Sequence, residues 1–210
     1  MVLTDLVFPP RCAGCGALGP SPCDVCVEAL HPLDEISVGT PVDRCLVLLD
    51  YDDLARRLIA KLKYGGVRTS VGWFARAMAD RVVASGESIQ AVTWVPAAPA
   101  NRRRRGFDQG EALARPIGSR VAVPAQALLS RSGRSTQTGR GRAGRLDGPE
   151  LASSARDLAG QTILVVDDVA TTGATLRRAA EALTRCGASR VVAVVAAHPR
   201  WLQPRLEQFR

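Results

Sequence analysis

The sequence predicts a doubly wound α/β protein whose sheet is mostly parallel, preceded by a small cysteine-rich module. Three observations carry that reading. Apolar runs of strand length, such as 91–96 (AVTWVP) and 191–197 (VVAVVAA), alternate with segments whose apolar residues recur at helical spacing. These runs are continuously apolar, as expected of parallel strands covered by helices on both faces. Four of the six cysteines fall between positions 12 and 26, in a stretch with no such periodicity.

Residues 1–40, rich in Pro, Gly and Cys, read as the small module, and 41–210 as the α/β domain. Residues 44–51 (RCLVLLDY) form the first expected strand. In 52–64, Leu54, Leu58, Ile59 and Leu62 share one helical face, and Gly65-Gly66 should stop the helix. A second helix is expected over 71–85, with Phe74, Met78 and Val82 inward and Gly86 at its end. After the strand at 91–96 comes a basic loop, 100–110 (ANRRRRGFDQG). A helix is expected over 111–121, which Pro116 should kink or shorten. Residues 125–131 read as another strand. From 130 to 149 Gly, Ser, Thr and Arg dominate without apolar pattern, so this stretch is either a disordered linker or a mobile functional loop. A strand at 161–168, a helix at 173–187 ending on Gly187, and a strand at 190–199 complete the chain. There is no internal repeat.

The longest apolar runs are of strand length, which argues against a membrane-inserted helix. The first ten residues lack the basic and apolar regions of a secretory signal, so the expectation is a cytoplasmic protein. A formal net charge of +8 points to an anionic partner. Among the 28 basic residues only Lys61 and Lys63 are lysines; the excess of Arg beside so much Ala and Gly fits genome composition, which makes the lysine pair notable.

The chemistry concentrates in 163–176, ILVVDDVATTGATL. Four apolar residues end in adjacent acids, Asp167 and Asp168, and then in a loop of small residues that opens a helix. In a parallel sheet, ligands bind outside the carboxyl ends of the strands. A helix start offers unpaired N–H groups and the positive end of the helix dipole, a cradle for phosphate. Gly173 permits close backbone approach, and Thr171, Thr172 and Thr175 add hydroxyls. Carboxylates beside a phosphate make sense as acceptors for ribose hydroxyls or as supports for hydrated Mg²⁺. The alternative is an ordinary Thr-capped helix with solvated acids at its turn.

This stretch closely resembles the PRPP-binding motif of type I phosphoribosyltransferases. The resemblance implies that Asp167 and Asp168 hold ribose hydroxyls, and that the loop Ala170, Thr171, Thr172, Gly173, Ala174 and Thr175 holds the 5-phosphate. Taken in order, CAGC…CDVC, AKLKYGG, VP…RRGFDQ and the DD motif resemble the ComF family of phosphoribosyltransferase-like proteins over nearly the full length. The family usually reads RGFNQ, and here Asp108 stands in place of the Asn. Its Thr/Gln-plus-Arg loop is loosely matched by Thr136, Gln137 and Arg142. The expected function is therefore binding of PRPP or another ribose 5-phosphate ligand with Mg²⁺, and transfer of the phosphoribosyl group to a nitrogen acceptor with release of pyrophosphate.

Cys12-x₂-Cys15 and Cys23-x₂-Cys26 form a double knuckle, whose four thiolates suit a tetrahedral structural Zn²⁺ better than a redox pair or disulfides. The basic segment returns to the same sheet edge as the DD loop, so Arg105 and Gly106 are candidates for holding a diphosphate; a solvated or nucleic-acid-binding patch is the competing reading. Lys61 and Lys63, two apart on a helix, cannot share a face, so one should reach the anionic cleft. Arg142, with Thr136 and Gln137, would belong to a lid. His31 and His198 read as structural or surface residues, although His198 could edge towards the site, and Cys45 and Cys186 as small core residues. A rival function is a DNA-handling, competence-type accessory protein that binds single-stranded DNA or competence proteins. The zinc module and Arg runs favour it, while an aromatic content of 4% leaves few platforms for base stacking.

Overall fold

The computed structural model describes residues 10–63, 68–131, 150–155 and 157–202. The architecture is α/β, with a five-stranded, mostly parallel sheet covered on both faces. The elements are α1 (Asp24–Glu28), β1 (Glu35–Ile36), β2 (Arg44–Asp50), α2 (Asp53–Lys63) and α3 (Arg68–Ala84). They continue with β3 (Ala91–Trp94), α4 (Pro99–Arg105), α5 (Gln109–Arg120), β4 (Leu129–Arg131) and β5 (Leu151–Ser153). Strand β6 (Thr162–Val169), helix α6 (Ala174–Thr184), strand β7 (Arg190–His198) and a 3₁₀ turn at Arg200–Leu202 end the described chain.

The sheet order is β1-β2-β7-β6-β3. Strands β2, β7, β6 and β3 run parallel, and β1 pairs antiparallel with β2 at the edge. Strand alternation sends successive side chains into two separate cores. Leu46, Leu164, Val166, Val192 and Val194 meet α2, α3 and α5 through Leu58, Ile59, Leu62, Phe74, Met78, Val82, Leu113 and Ile117. Val47, Ile163, Val165, Val191, Ala193 and Val195 face α6 through Leu176, Ala179, Ala180 and Leu183, with Leu129 and Leu151 beside them. Burial on both faces explains why these strands read as unbroken apolar runs.

Three expectations are corrected. The basic segment expected as a loop is the helix α4: Pro99 sits in its first turn, and Gly106, at φ 77°, ends it in the left-handed region. Its arginines are good helix formers without apolar periodicity, so pattern reading could not find it. Pro116 does not shorten its helix, for α5 runs from Gln109 to Arg120. Proline there removes one backbone donor, while buried Leu113, Ala114 and Ile117 hold the helix on the sheet. The strand expected over 125–131 forms only at Leu129–Arg131, paired antiparallel with β5, a strand that pattern reading did not find. The expected stop at Gly65-Gly66 lies outside the described residues.

The cysteine module packs on α2 and α3. Arg57 Nε donates to the Gly14 carbonyl (3.0 Å), and the buried Ser70 hydroxyl bonds the buried Ser21 hydroxyl (2.8 Å). Leu30, eighteen positions after Cys12 in sequence, joins the first core.

Helix α5 approaches β3 closely because Gly110 lacks a side chain. A Cβ there would stand 2.8 Å from the Val95 carbonyl oxygen and 3.0 Å from Trp94 Cδ1. Gly110→Ala should therefore push the helix off the strand and cost about 1–3 kcal/mol. Each kcal/mol should lower the melting temperature by about 2–4 °C for a chain of this size, read by thermal unfolding.

Candidate functional site

Strands β3, β6 and β7 end on one edge, and the chemistry collects there. Strand β6 carries Val165 and Val166 into opposite cores, so the next two residues also diverge. Asp168 turns to the α5 side, where its Oδ2 accepts from Gln109 Nε2 at 2.8 Å. Gln109 Oε1 in turn accepts from Arg105 Nη1 at 3.2 Å. Gln109 is 4% exposed, so this relay joins the RGFDQ segment to the half-buried end of the DD strand through a buried amide. Asp167 turns to the other side, towards Cys45 and Arg131. Burial, and then the Asp167 charge, push the Cys45 thiol up to about 12. Burial pulls the Arg131 guanidinium below its ordinary value, opposed by the charges of Asp167 and Asp108. Arg131 Nε donates to the Pro96 carbonyl at 2.7 Å, which fixes this arginine at the end of β3.

Asp108, where the resembled family has Asn, caps α5. Its Oδ1 accepts from the N–H groups of Gly110 (3.0 Å) and Glu111 (3.3 Å), and its Oδ2 from Ala97 (2.9 Å). Both oxygens accept, so a carboxylate satisfies all three donors, whereas an amide would turn its NH₂ towards one of them. The cap at the same time orients Gln109 next to it.

The loop after β6 is held from three sides. Ala170 N–H continues the ladder to the Ala197 carbonyl (3.1 Å). The Ala170 carbonyl lies 2.9 Å from Nδ1 of the buried His198. Arg177 Nη1 donates to the carbonyls of Thr172 (2.8 Å) and Val38 (2.6 Å). Thr171 and Thr172 are exposed. Gly173 has φ 71°, and a Cβ on it would stand 2.5 Å from Val38 Cβ, so both conformation and close packing demand glycine. The bare Cα thus makes room for Val38. Ala174 N–H has a long contact to Thr172 Oγ1 (3.4 Å), while the N–H groups of Thr171, Thr172 and Gly173 have no partner among the described residues. These donors lie at the start of α6, together with Thr175, where anions are favoured.

The structure therefore brings Asp167, Asp168 and the loop 170–175 to one edge, and links Arg105 to Asp168 through Gln109. Gly106 serves as the α4 stop. Lys61 is exposed on α2 and Lys63 is that helix's last residue. Thr136, Gln137 and Arg142 lie outside the described residues. Gln109, Arg131, Arg177 and His198 were not among the residues assigned to the site from sequence. Only Gln109 sat in a quoted motif. His31, at the far side of the same edge, donates from Nδ1 to Asp52 Oδ2 (2.8 Å).

The four module cysteines converge, with every Sγ within 4.8 Å of the others. Cys12–Cys26 and Cys15–Cys23 Sγ separations are 3.6 Å. Zn–S bonds of about 2.3 Å in a tetrahedron give S···S edges of about 3.8 Å, so the set fits zinc. Cys23 N–H points at Cys12 Sγ (3.4 Å). Burial raises the Cys12 thiol, but N–H groups of Cys15, Cys23 and Gly14 outweigh it and bring it down to about 6. Burial raises the Cys26 thiol. Gly16 turns the first knuckle at φ 80°, whereas Gly14 is needed for space, since its Cβ would meet Cys26 Sγ at 2.8 Å.

Residues 106–206 match the family model described as the phosphoribosyl transferase domain. No curated protein matches the chain. Among solved structures, it is similar to glutamine phosphoribosylpyrophosphate amidotransferase from B. subtilis complexed with ADP and GMP (TM-score 0.47, 19% identity, 65% of this chain). The chain spans only 30% of that protein's length. It is also similar to purine phosphoribosyltransferase from Pyrococcus horikoshii (TM-score 0.41, 18% identity, 62% of this chain and 75% of that one). A third is adenine phosphoribosyl transferase from Trypanosoma brucei in complex with AMP, pyrophosphate and ribose-5-phosphate (TM-score 0.44, 12% identity, 83% and 90%).

Two outcomes are expected. Elemental analysis of protein prepared without chelator should give one zinc per chain, and Cys15→Ser should lose most of it. Gln109→Leu should strip Asp168 Oδ2 and Arg105 of a buried partner and destabilise by about 1–3 kcal/mol in denaturant unfolding.

Proposed function

We propose that the protein binds PRPP at the carboxyl end of β6 and transfers its phosphoribosyl group to a nitrogen acceptor, releasing pyrophosphate. The observation that carries this reading is the coincidence, at one edge, of two carboxylates with a loop of unpartnered N–H groups and a linked arginine. The loop donors suit the 5-phosphate, and Asp167 and Asp168 suit the ribose hydroxyls. Arg105 and Arg131 suit the charge that builds on the departing diphosphate. The match of residues 106–206 to the phosphoribosyl transferase domain supports the same assignment.

Such a transfer breaks the bond between C1 and the diphosphate oxygen while the acceptor nitrogen attacks C1, through an oxocarbenium-like state. The chain's contribution is to hold both ends of the ligand and to receive the leaving charge, so it needs no covalent nucleophile. A divalent cation is compatible with the donor set, since Mg²⁺ binds through one or two carboxylates, waters and substrate phosphates. Asp167 and Asp168 would hold it, and bound there it would neutralise diphosphate charge.

A second reading has one observation in its favour: Arg102, Arg103 and Arg104 are exposed along α4, a basic face that suits nucleic-acid phosphates. Salt-dependent affinity for single-stranded DNA without pyrophosphate release would favour it.

Calorimetric titration decides the first reading. PRPP with Mg²⁺ and ribose 5-phosphate should bind while ribose does not, and Asp168→Asn should weaken PRPP binding by about ten- to a hundredfold. Absence of PRPP binding by the parent protein would falsify the proposal.

A further inference from the structure

We infer that His198 and Arg177 are positioning residues that aim the loop's N–H groups at the ligand, one peptide plane each. The inference rests on the reading of loop 170–175 as a phosphate cradle and says what makes the cradle. A trans peptide is planar, with its C=O and N–H pointing in opposite directions. Fixing a carbonyl therefore fixes the direction of the next residue's N–H. His198 binds the Ala170 carbonyl (2.9 Å), so the Thr171 N–H points away from it. Arg177 binds the Thr172 carbonyl (2.8 Å), so the Gly173 N–H points away from it. Each carbonyl is held by its clamp, and the two following N–H groups, which have no partner among the described residues, point the opposite way.

Each clamp is itself braced. His198 is 4% exposed at the end of β7, and its own carbonyl accepts from Tyr51 N–H (3.0 Å). The Ala170 carbonyl is only an acceptor, so the geometry requires the proton on Nδ1 of the ring. Arg177 Nη1 also grips the Val38 carbonyl (2.6 Å), on the segment against which Gly173 packs. The loop then meets its ligand with donors already aimed, which removes an ordering cost from binding. Neither residue needs to touch the ligand for this to work.

The test separates donor from bulk. His198→Leu removes the donor, whereas His198→Asn keeps an N–H near the position of Nδ1; both shorten or reshape the ring and lower thermal stability. Calorimetry with ribose 5-phosphate should show His198→Leu weakened by about tenfold or more, and His198→Asn restored to near the parent value, although both melt lower. Arg177→Met, on a different element, should show the same loss. In the ¹⁵N spectrum of the parent protein's ring, the proton should be on Nδ1. Parent-like affinity in both His198→Leu and Arg177→Met overturns the inference, as does His198→Asn no better than His198→Leu, or a proton on Nε2. If the parent protein does not bind ribose 5-phosphate at all, the cradle reading itself fails, which the parent titration reveals before any variant is compared.

Discussion

The parallel pairing of β6 between β3 and β7 is the constraint on which the rest of the molecule depends. A strand flanked on both sides and covered on both faces can satisfy its backbone only through its neighbours. Ile163 to Val166, which pair on both sides, are accordingly apolar. At the carboxyl end the ladder's last bond, Ala170 N–H to Ala197 carbonyl, is also the first bond of the loop. The polar residues that follow are therefore delivered to a fixed place by pairing that they do not themselves make. Asp167 is still within the ladder, opposite Val195, so it is held as firmly as the core residues before it.

From that strand end, the site is assembled by contacts that span the sequence. The Gln109–Asp168 bond joins residues 59 positions apart, and the His198 contact with Ala170 spans 28. The Arg177 contact with Val38 spans 139. Each connects a different crossover to the same edge. The site is thus rigid because several elements end together and lock one another. Gly110 and Gly173 mark two places where that locking requires backbone to approach closer than a side chain would allow.

Much of this was legible in the residue order, and what was not has a physical cause. The long strands and helices α2, α3 and α6 declared themselves because burial imposes a period. Helix α4 did not, since its four arginines face no core and carry no period. Strand β5 did not, and β4 is only the end of the strand expected over 125–131, for each is three residues long. Within the site, Asp167, Asp168 and the small-residue loop were legible because adjacent acids after a core strand are costly without a purpose. Gln109, Arg131, Arg177 and His198 were not, because what distinguishes them is direction. Gln109 begins a helix and Arg177 lies within one, and nothing local says that the one turns to Asp168 and the other to Thr172. His198 illustrates the point best: a terminal strand residue that reads as structural is structural, and the structure it supports is the loop.

Under the proposed transfer, a loop built this way also bears on why no dedicated nucleophile is needed. Backbone N–H groups cannot be lost to protonation, carry no net charge, and are fixed by planarity once their carbonyls are held. They can hold a dianionic phosphate without adding a cation that would pair with Asp167 or Asp168. Asp167 and Asp168 accept from the N–H groups of Asp168 and Val169 and from Gln109, and the arginines, Arg105 through Gln109 and Arg131 through Pro96, are tethered beside them. The polar relay is thus a spacer as much as a link. It places one neutral amide between the Arg105 Nη1 and the Asp168 Oδ2 that it joins.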